Sequence, residues 1–296
     1  MGWNNRDVTG GCINVSFVEI PGRGGLIPCR VYTPKKAAGR SGYPCLMYYH
    51  GGGFIGGSLK CVDPACKCMA KYGDAVVVSV DYRLAPEHPY PQGFDDCYDA
   101  LCWVFSHASD FHIDRERMGT CGDSAGANIA AAVAIKDRDC RGGMVKFEAL
   151  VYPTTNPAQI PSKEYKWNEK EYNIRKDGAY KDLIHKSIHS PCDIGDTMIA
   201  DLYGAGDAKK MKEVYASPMV ESNLKGICPT VIINAEYDFL RLEGEAYGRA
   251  LAKAGVKTDM IRYQGVDHAF LDKVGDYPQA EDCAKEIAER FRRIVK

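Results

Sequence analysis

The chain has 296 residues, of which 45% are hydrophobic and 26% are charged, and its formal net charge at pH 7 is -1. A chain of this length can bury a large core, either as one α/β domain or as two smaller ones. A net charge so close to zero does not indicate the excess of positive charge that binds nucleic acid or an anionic membrane. The composition therefore favours a small or neutral ligand over a polyanionic one.

Targeting signals are not evident in the sequence. No apolar run approaches the ~20 residues that a membrane span needs. The opening residues, MGWNNRDVTGGCINV, lack the apolar core of a signal peptide, and MGWNNR lacks the Ser or Thr of a myristoylation signal. We therefore expect a cytoplasmic protein with neither a membrane nor a nucleic acid as its partner.

The 13 cysteines have scattered spacing and an odd count, which indicates reduced thiols rather than a disulfide framework. Cys61, Cys66 and Cys68 lie together in CVDPACKC, where a metal site is the alternative. No second ligand pair follows at zinc-ribbon spacing, and the segment is typical of a helix start. We therefore predict that most of the cysteines are small buried hydrophobic residues, and we expect no metal.

Strand-like and helix-like segments alternate along the chain, as they do in a mostly parallel sheet covered by helices. Residues 13–20 and 26–33, joined by a Gly-rich turn, are predicted to form an antiparallel hairpin. Further strands are predicted at residues 44–50, 75–81, 117–121, 147–152, 230–235 and 258–263. Helices are predicted near residues 63–72, 95–107, 124–138, 239–254 and 279–295. The pattern predicts one α/β domain over residues 1–296, with an eight-stranded sheet.

Residues 154–216 interrupt this alternation with a Tyr-, Lys- and Asp-rich stretch that has no convincing strand. A segment of this length without a strand is usually a functional insertion, so we predict a helical cap here. Its aromatic residues either line a pocket or simply pack the cap onto the domain; they are Tyr165, Trp167, Tyr172, Tyr180 and Tyr203.

The stretch TCGDSAGAN places Ser124 between a predicted strand and an alanine-rich predicted helix. A nucleophilic serine on a tight strand-to-helix turn needs small neighbours, which Gly122 and Gly126 supply. The alternative is a Gly-rich turn in which the serine only caps the helix. This stretch alone leaves both interpretations open.

A glycine-rich loop, HGGGFIGGS, directly follows the predicted strand at residues 44–50. Acyl transfer builds negative charge on a carbonyl oxygen, and backbone N–H groups in such a loop can stabilise that charge. The alternative is a phosphate-binding loop, but neither G-x-G-x-x-G nor a P-loop lysine is in register. The loop therefore favours acyl transfer.

A nucleophilic serine needs a base, and the base needs an orienting carboxylate. Three histidines follow Ser124 in the chain: His185, His189 and His268. His268 follows the predicted strand at 258–263, whereas the other two lie in the insertion, four residues apart on a predicted helix face. For the acid, Asp238 follows the strand at 230–235 and ranks above Glu236 and Asp267.

The chain resembles the hormone-sensitive-lipase-like family of serine esterases in the α/β-hydrolase fold, also called bacterial family IV. The likeness covers roughly residues 30–295 and rests on five blocks in order: HGGGF, DYRLAPEHPYP, GDSAGAN, DFLRLEG and DHAF. It implies Ser124 as nucleophile, His268 as general base and then acid, and Asp238 as the residue that orients His268.

The resemblance also implies roles for the surrounding loops. The oxyanion hole would be formed by the backbone N–H groups of Gly52, Gly53 and Ala125, and His50 would hold the glycine loop. In DYRLAPEHPYP, three side chains would hold a loop rather than react: Arg83, Glu87 and His88. Family members often dimerise through the last strand and helix, here residues 258–295, which makes a homodimer the expected assembly.

Two features depart from the family pattern. Members commonly carry an N-terminal helical cap of several dozen residues, whereas about a dozen residues precede the first predicted strand here. Residues 154–216 would then have to supply most of the pocket closure. Many members also have a second acidic residue in the acid motif, where this chain has Leu242.

We therefore predict a serine carboxylesterase that needs no cofactor and acts on short-chain acyl esters, acetyl to butyryl, including acetylated sugars. The insertion has few long aliphatic runs, unlike the lid of an interfacial lipase. Alternatives are an amide, carbamate or lactone substrate for the same triad, a non-catalytic small-molecule receptor on the same fold, and thiol regulation through Cys121.

Overall fold

One eight-stranded sheet organises the protein in the computed structural model, which describes residues 6–35, 42–161, 164–175, 177–189 and 201–296. The strands are β1 (Ile13–Gly22), β2 (Gly25–Pro34), β3 (Tyr43–Tyr49), β4 (Val76–Val80), β5 (Ile113–Asp123), β6 (Val145–Val151), β7 (Thr230–Tyr237) and β8 (Thr258–Asp267). Their order is β1-β2-β4-β3-β5-β6-β7-β8. β1 and β2 are antiparallel to each other, β2 is antiparallel to β4, and all other neighbours are parallel.

Helices cover both faces of this sheet: α1 (Asp63–Gly73), α2 (Gln92–Ser106), α3 (Ala125–Asp139), α4 (Lys181–His189), α5 (Arg241–Lys253) and α6 (Pro278–Ile294). The core on one face includes buried residues of α2, α3 and α5, and the core on the other includes those of α1 and α6. The central strands are apolar on both sides: Met47 of β3 faces the first core and its neighbour Leu46 faces the second. Such strands are typical of a parallel sheet covered twice.

The predicted architecture is confirmed, including the opening hairpin, and the differences lie at element ends. β5 begins at Ile113, which pairs with Tyr43 of β3, and a bulge separates this pair from the next one, between Met118 and Cys45. β8 extends beyond the predicted end at residue 263 and continues through Gly265 to Asp267. Helix α3 begins one residue after Ser124, whose backbone is not helical.

The predicted cap region contains α4, short helical turns and no strand among those of its residues that the structure describes. Residues 162–163, 176 and 190–200 of this region lie outside the described residues. Ile188 of α4 and Tyr172 pack against Leu242 of α5, which attaches the region to the domain. Its role as a cap stays a prediction. Within the described ranges, no helix is both long and apolar enough to cross a membrane.

A buried acid, Glu148 of β6, makes the stability of this sheet depend on pH. Its Oε1 accepts a hydrogen bond of 2.7 Å from the Thr230 hydroxyl, and its Oε2 has no partner among the described residues. Burial raises the pKa of Glu148 to about 8, from an ordinary value of about 4.3. The folded protein therefore keeps Glu148 protonated at a pH where the unfolded chain is ionised, so stability falls as pH rises from about 4 to about 8.

Replacing Glu148 with glutamine is expected to remove this loss, because a neutral amide replaces the acid at every pH. Between pH 5 and pH 9, the stability of the Glu148→Gln variant should gain several kcal/mol relative to the natural protein. Urea denaturation at pH 5, 7 and 9 measures this difference. The control is Glu116→Gln on β5, whose side chain is 68% exposed. Parallel pH profiles for Glu148→Gln and the natural protein would contradict the expectation.

Candidate active site

Ser124 occupies the tight turn between β5 and α3, with φ 53° and ψ -118°. This left-handed backbone is strained for a residue with a side chain, and close packing on both sides enforces it. A side chain on Gly126 would collide with the backbone carbonyls of Tyr49 and His50, and one on Gly122 would collide with Gly126. The small neighbours of the serine thus let α3 approach β3, and the turn is that of a nucleophile elbow.

His268 and Asp238 lie at the ends of the neighbouring strands, directly after β8 and β7. Oγ of Ser124 lies 3.0 Å from Nε2 of His268, and Nδ1–H of His268 donates to Oδ2 of Asp238 over 2.9 Å. The carboxylate of Asp238 is fully buried. The structure therefore brings the three predicted residues into one hydrogen-bonded chain at the carboxyl edge of the sheet.

The rival candidates make other contacts. Glu236 accepts a hydrogen bond from the backbone of Gly265, and Asp267 accepts one from Ser187. His185 and His189 lie on α4 and both face Glu169, with nitrogen–oxygen distances of 3.3 and 3.6 Å. None of these four candidates forms a hydrogen bond with His268 or Ser124 among the described residues.

Carboxylates on several sides determine the charge state of His268. Burial alone lowers the pKa of this imidazole, but the charge and hydrogen bond of Asp238, with Asp123 and Asp272 nearby, outweigh burial and raise it. Partial burial together with the charge of Asp123 raises the pKa of Asp272 itself to about 7. The protonated imidazole is therefore more stable in this site than it would be in water. A general base that holds a proton during a reaction needs such stabilisation.

Hydrogen bonds hold the glycine loop after β3 against the turn that carries Ser124. Oδ1 of Asp123 accepts hydrogen bonds from the Tyr48 hydroxyl (2.8 Å) and from the backbone N–H of Gly51 (3.0 Å). His50 donates from Nδ1 to the carbonyl of Gly51 (2.9 Å), and its ring stacks on Tyr82 at 4.5 Å. These contacts hold the loop against the end of β5, beside Ser124.

The backbone N–H groups of Gly52, Gly53 and Ala125 lie at the same carboxyl edge of the sheet as Ser124. None of the three has a hydrogen-bond acceptor among the described residues. Gly52 has φ 129°, a conformation that residues with side chains rarely adopt. Gly53 and Ser124 line the same cavity. Three unpaired donors at this position are what an oxyanion hole requires.

The loop from Asp81 to Pro91 has a structural role. Arg83 donates to both carboxylate oxygens of Asp96 on α2, at 2.8 Å each, and to Gln92. His88 donates from Nδ1 to Gln92 over 3.1 Å. Glu87 is exposed and has no hydrogen bond or ion pair with any described residue. Two of the three predicted loop-holding residues thus make the contacts expected of them.

A cavity of about 390 Å³ opens above Ser124. Its walls combine apolar and aromatic side chains with a few polar ones: Gly53, Phe54, Ser124, Thr154, Asn156, Pro157, Gln159, Ile160, Pro161, Tyr165, Trp167, Phe239, Leu240 and Glu243. Of the five aromatic residues singled out in residues 154–216, Tyr165 and Trp167 line this cavity. Tyr172 and Tyr203 are buried, and Tyr180 is exposed.

The roles of three residues in this region were not predicted from the sequence. Glu243 accepts hydrogen bonds from the backbone N–H groups of Thr155 and Asn156 and so shapes one wall of the cavity. Tyr172 and Arg241 contact the turn that carries Asp238. For Glu243 and Arg241 the signal was their place in DFLRLEG beside Asp238, whereas Tyr172 was singled out only as one of five aromatic residues in the insertion.

Cys121 precedes the elbow inside β5 and is fully buried. Burial raises its pKa well above the ordinary value for a thiol, so the reactive thiolate is disfavoured. The 12 cysteines among the described residues are all free of disulfides. Packing accounts for Cys121, and the thiol-regulation alternative gains no support from its position.

The sheet order and the elbow define an α/β-hydrolase, and comparisons with known proteins agree. A family model for the alpha/beta hydrolase fold matches residues 46–272. The chain belongs to this family, in its hormone-sensitive-lipase-like group, and it is an ester-hydrolysing enzyme.

Its relatives include esterase LipI of Mycobacterium tuberculosis, 33% identical over 96% of this chain and 83% of the relative. Arylacetamide deacetylase of Oryctolagus cuniculus is 32% identical over 84% of this chain and 73% of the relative. Among solved structures, an esterase of Pyrobaculum calidifontis superposes with a TM-score of 0.81 at 34% identity, covering 95% of this chain and 85% of that one.

Proposed function

We propose that the enzyme hydrolyses short-chain carboxylic esters through Ser124, His268 and Asp238. The observation that carries this proposal is the hydrogen-bonded chain from Oγ of Ser124 through the imidazole of His268 to the buried carboxylate of Asp238. Ser124, at one end of that chain, lines a cavity and lies next to three backbone N–H groups that have no acceptor among the described residues.

The reaction has two steps. Oγ of Ser124 attacks the ester carbonyl while Nε2 of His268 takes its proton, and the N–H groups of Gly52, Gly53 and Ala125 stabilise the oxyanion. His268 then returns the proton to the leaving alcohol, which leaves an acyl group on Ser124. A water molecule, deprotonated by His268, attacks the acyl-enzyme and releases the acid.

The cavity supports a small acyl group. Its volume of about 390 Å³ has to hold both sides of the ester, and Tyr165, Trp167 and Phe239 limit its extent. Acetyl to butyryl groups fit this space with room for the alcohol, and the polar wall made by Asn156, Gln159 and Glu243 suits a hydroxylated alcohol such as a sugar. Residues 154–161, six of which line the cavity, are proposed to be the base of the cap.

A series of p-nitrophenyl esters tests the chain-length preference. We expect kcat/KM to be highest for acetate or butyrate and to fall by about tenfold or more at octanoate and further at palmitate, because a longer alkyl chain leaves less of the cavity for the alcohol and contacts the polar wall of Asn156, Gln159 and Glu243. The Ser124→Ala variant supplies the background rate for each ester. A maximum at octanoate or longer would mean that the cavity does not limit the acyl group.

Amide hydrolysis by the same residues is the second candidate. The observation that favours it is the relative at 32% identity named arylacetamide deacetylase. Turnover of p-nitroacetanilide, compared with p-nitrophenyl acetate, separates the two. Ser124-dependent hydrolysis of the anilide with the higher kcat/KM would replace the ester proposal.

A further inference from the structure

The turn that carries Asp238 is held by three hydrogen bonds besides the one from His268. Oδ1 of Asp238 accepts from the backbone N–H of Leu240 over 2.8 Å. The backbone carbonyl of Asp238 accepts from the N–H of Arg241 over 3.0 Å, at the start of α5. The same carbonyl also accepts a hydrogen bond of 2.8 Å from the hydroxyl of Tyr172. Two of these donors are local, and the third comes from 66 residues earlier in the chain.

Tyr172 is itself fixed in place. Its side chain is buried, and the guanidinium of Arg241 lies over its ring, 4.1 Å from the centroid. Arg241 is only 2% exposed, and it donates to the backbone carbonyl of Glu171 over 2.6 Å. The segment that ends at Tyr172 is therefore held by Arg241 of α5 on one side. On the other side, the Tyr172 hydroxyl joins it to the Asp238 turn by a hydrogen bond.

This segment also contributes to the cavity. Tyr165 and Trp167, five to seven residues before Tyr172, line the space above Ser124. Trp167 and Tyr172 lie in one apolar cluster with Ile188 of α4 and Leu242 of α5. The apolar side chain of Leu242 completes this cluster. The wall of the cavity and the support of Asp238 are thus parts of one packed unit.

We propose that Tyr172 is a positioning residue for the reaction: its hydroxyl fixes the Asp238 turn, so that the packing of the substrate wall determines how Asp238 holds His268. This proposal rests on the proposed function. Tyr172 touches neither Ser124 nor His268, and it acts only through Asp238.

The hydroxyl is suited to act as a permanent donor. Burial raises the pKa of Tyr172 above its ordinary value, with Arg241 opposing that rise and Asp238 and Glu245 adding to it. The hydroxyl therefore stays protonated throughout the working pH range. The carboxylates that face His268 are Asp238 after β7, Asp123 at the end of β5 and Asp272 in the turn after β8, and the ring of Tyr152 lies 4.9 Å from the imidazole. Of these groups, Tyr172 contacts only Asp238.

The test is Tyr172→Phe, which removes the hydroxyl and keeps the ring beneath Arg241. With p-nitrophenyl butyrate we expect kcat to fall by about three- to tenfold with little change in KM, the effect of one lost hydrogen bond on a positioned group. We also expect the apparent pKa of the acidic limb of kcat/KM to fall by roughly a few tenths of a unit, because a looser Asp238 supports the imidazolium less.

A matched control is Tyr247→Phe on α5. Tyr247 is as buried as Tyr172, but its hydroxyl has no hydrogen-bond partner among the described residues, so its rate and pH profile should match those of the natural enzyme. In the Asp238→Asn background, Tyr172→Phe is expected to have no further effect on kcat, because its route of action is already lost.

A Tyr172→Phe enzyme with lower thermal stability but natural kcat and pH profile would overturn the proposal, since Tyr172 would then be structural only. An equal loss of rate with and without Asp238 would overturn it as well. A natural enzyme without Ser124-dependent turnover would instead be a failure of the proposed function, and Ser124→Ala distinguishes that result from the other two.

Discussion

Replacing Ser124 by alanine is expected to lower kcat for p-nitrophenyl butyrate by about 10⁶-fold, the usual loss when a serine hydrolase loses its nucleophile. Without Oγ no acyl-enzyme forms, and His268 has no hydroxyl to deprotonate. Some rate above the uncatalysed reaction should remain, because the N–H groups of Gly52, Gly53 and Ala125 still stabilise a carbonyl oxygen that water attacks. Initial rates under saturating ester, with a higher enzyme concentration for the variant, measure this difference.

The fold should tolerate Ser124→Ala. Alanine has the same Cβ as serine, so the strained backbone at φ 53° is neither relieved nor worsened, and only one hydrogen bond to His268 is lost. The expected change in stability is within about 1 kcal/mol. The matched control is Ser106→Ala at the end of α2, where the hydroxyl only donates to the carbonyl of Cys102. Activity retained in Ser124→Ala would remove Ser124 from the mechanism.

The fold and the three proposed catalytic residues could be predicted because they depend on strand ends. In a parallel sheet, residues that follow β5, β7 and β8 meet at one edge, so Ser124, Asp238 and His268 are neighbours despite separations of 30 to 144 residues. The prediction needed only strand positions and residue types. The error of four residues in the end of β8 did not matter, because His268 follows the strand in either case.

Contacts that join a side chain to a backbone carbonyl could not be predicted. Nothing in the residues around Tyr172 shows that its hydroxyl reaches Asp238, since any donor at that point in space would serve. The contact depends on how the segment before α4 packs against Leu242 and Arg241. For the same reason the shape of the cavity was not accessible from the sequence.

The charge state of His268 was also beyond sequence reasoning. Its pKa results from burial, which lowers it, and from three carboxylates, which raise it. One of these, Asp123, is the first of the two variable residues of the G-x-S-x-G motif, and another, Asp272, lies four residues beyond the histidine. Their positions in the sequence do not show whether charge or burial dominates, and the structure favours charge.

Replacing Asp238 by asparagine tests the balance between burial and charge at His268, and it has the second largest expected effect on kcat. We expect kcat to fall by about 10⁴-fold. An amide does not keep the proton on Nδ1 of His268, so the imidazole adopts the tautomer whose Nε2 cannot accept a proton from Ser124. Its volume is nearly unchanged, and Oδ1 can still accept from Leu240, so the turn should keep its shape.

The pH dependence of the Asp238→Asn variant follows from the same charges. His268 must be neutral to act as a base, so activity is lost as pH falls through its pKa. In the natural enzyme that pKa is raised, which places the acidic limb of kcat/KM above the ordinary imidazole value of about 6.5. Without Asp238 the largest raising influence is gone while burial still lowers the pKa, so the limb should move to lower pH.

The profile of kcat/KM between pH 4 and pH 9 measures this shift for both enzymes. The control is Asp267→Asn, one residue before His268, whose carboxylate accepts a hydrogen bond from Ser187 and from no other described side chain; it should keep the natural limb and nearly the natural rate. An unchanged limb in Asp238→Asn would mean that Asp123 and Asp272 determine the pKa of His268. A large loss in Asp267→Asn with a small one in Asp238→Asn would reverse the assignment of the acid.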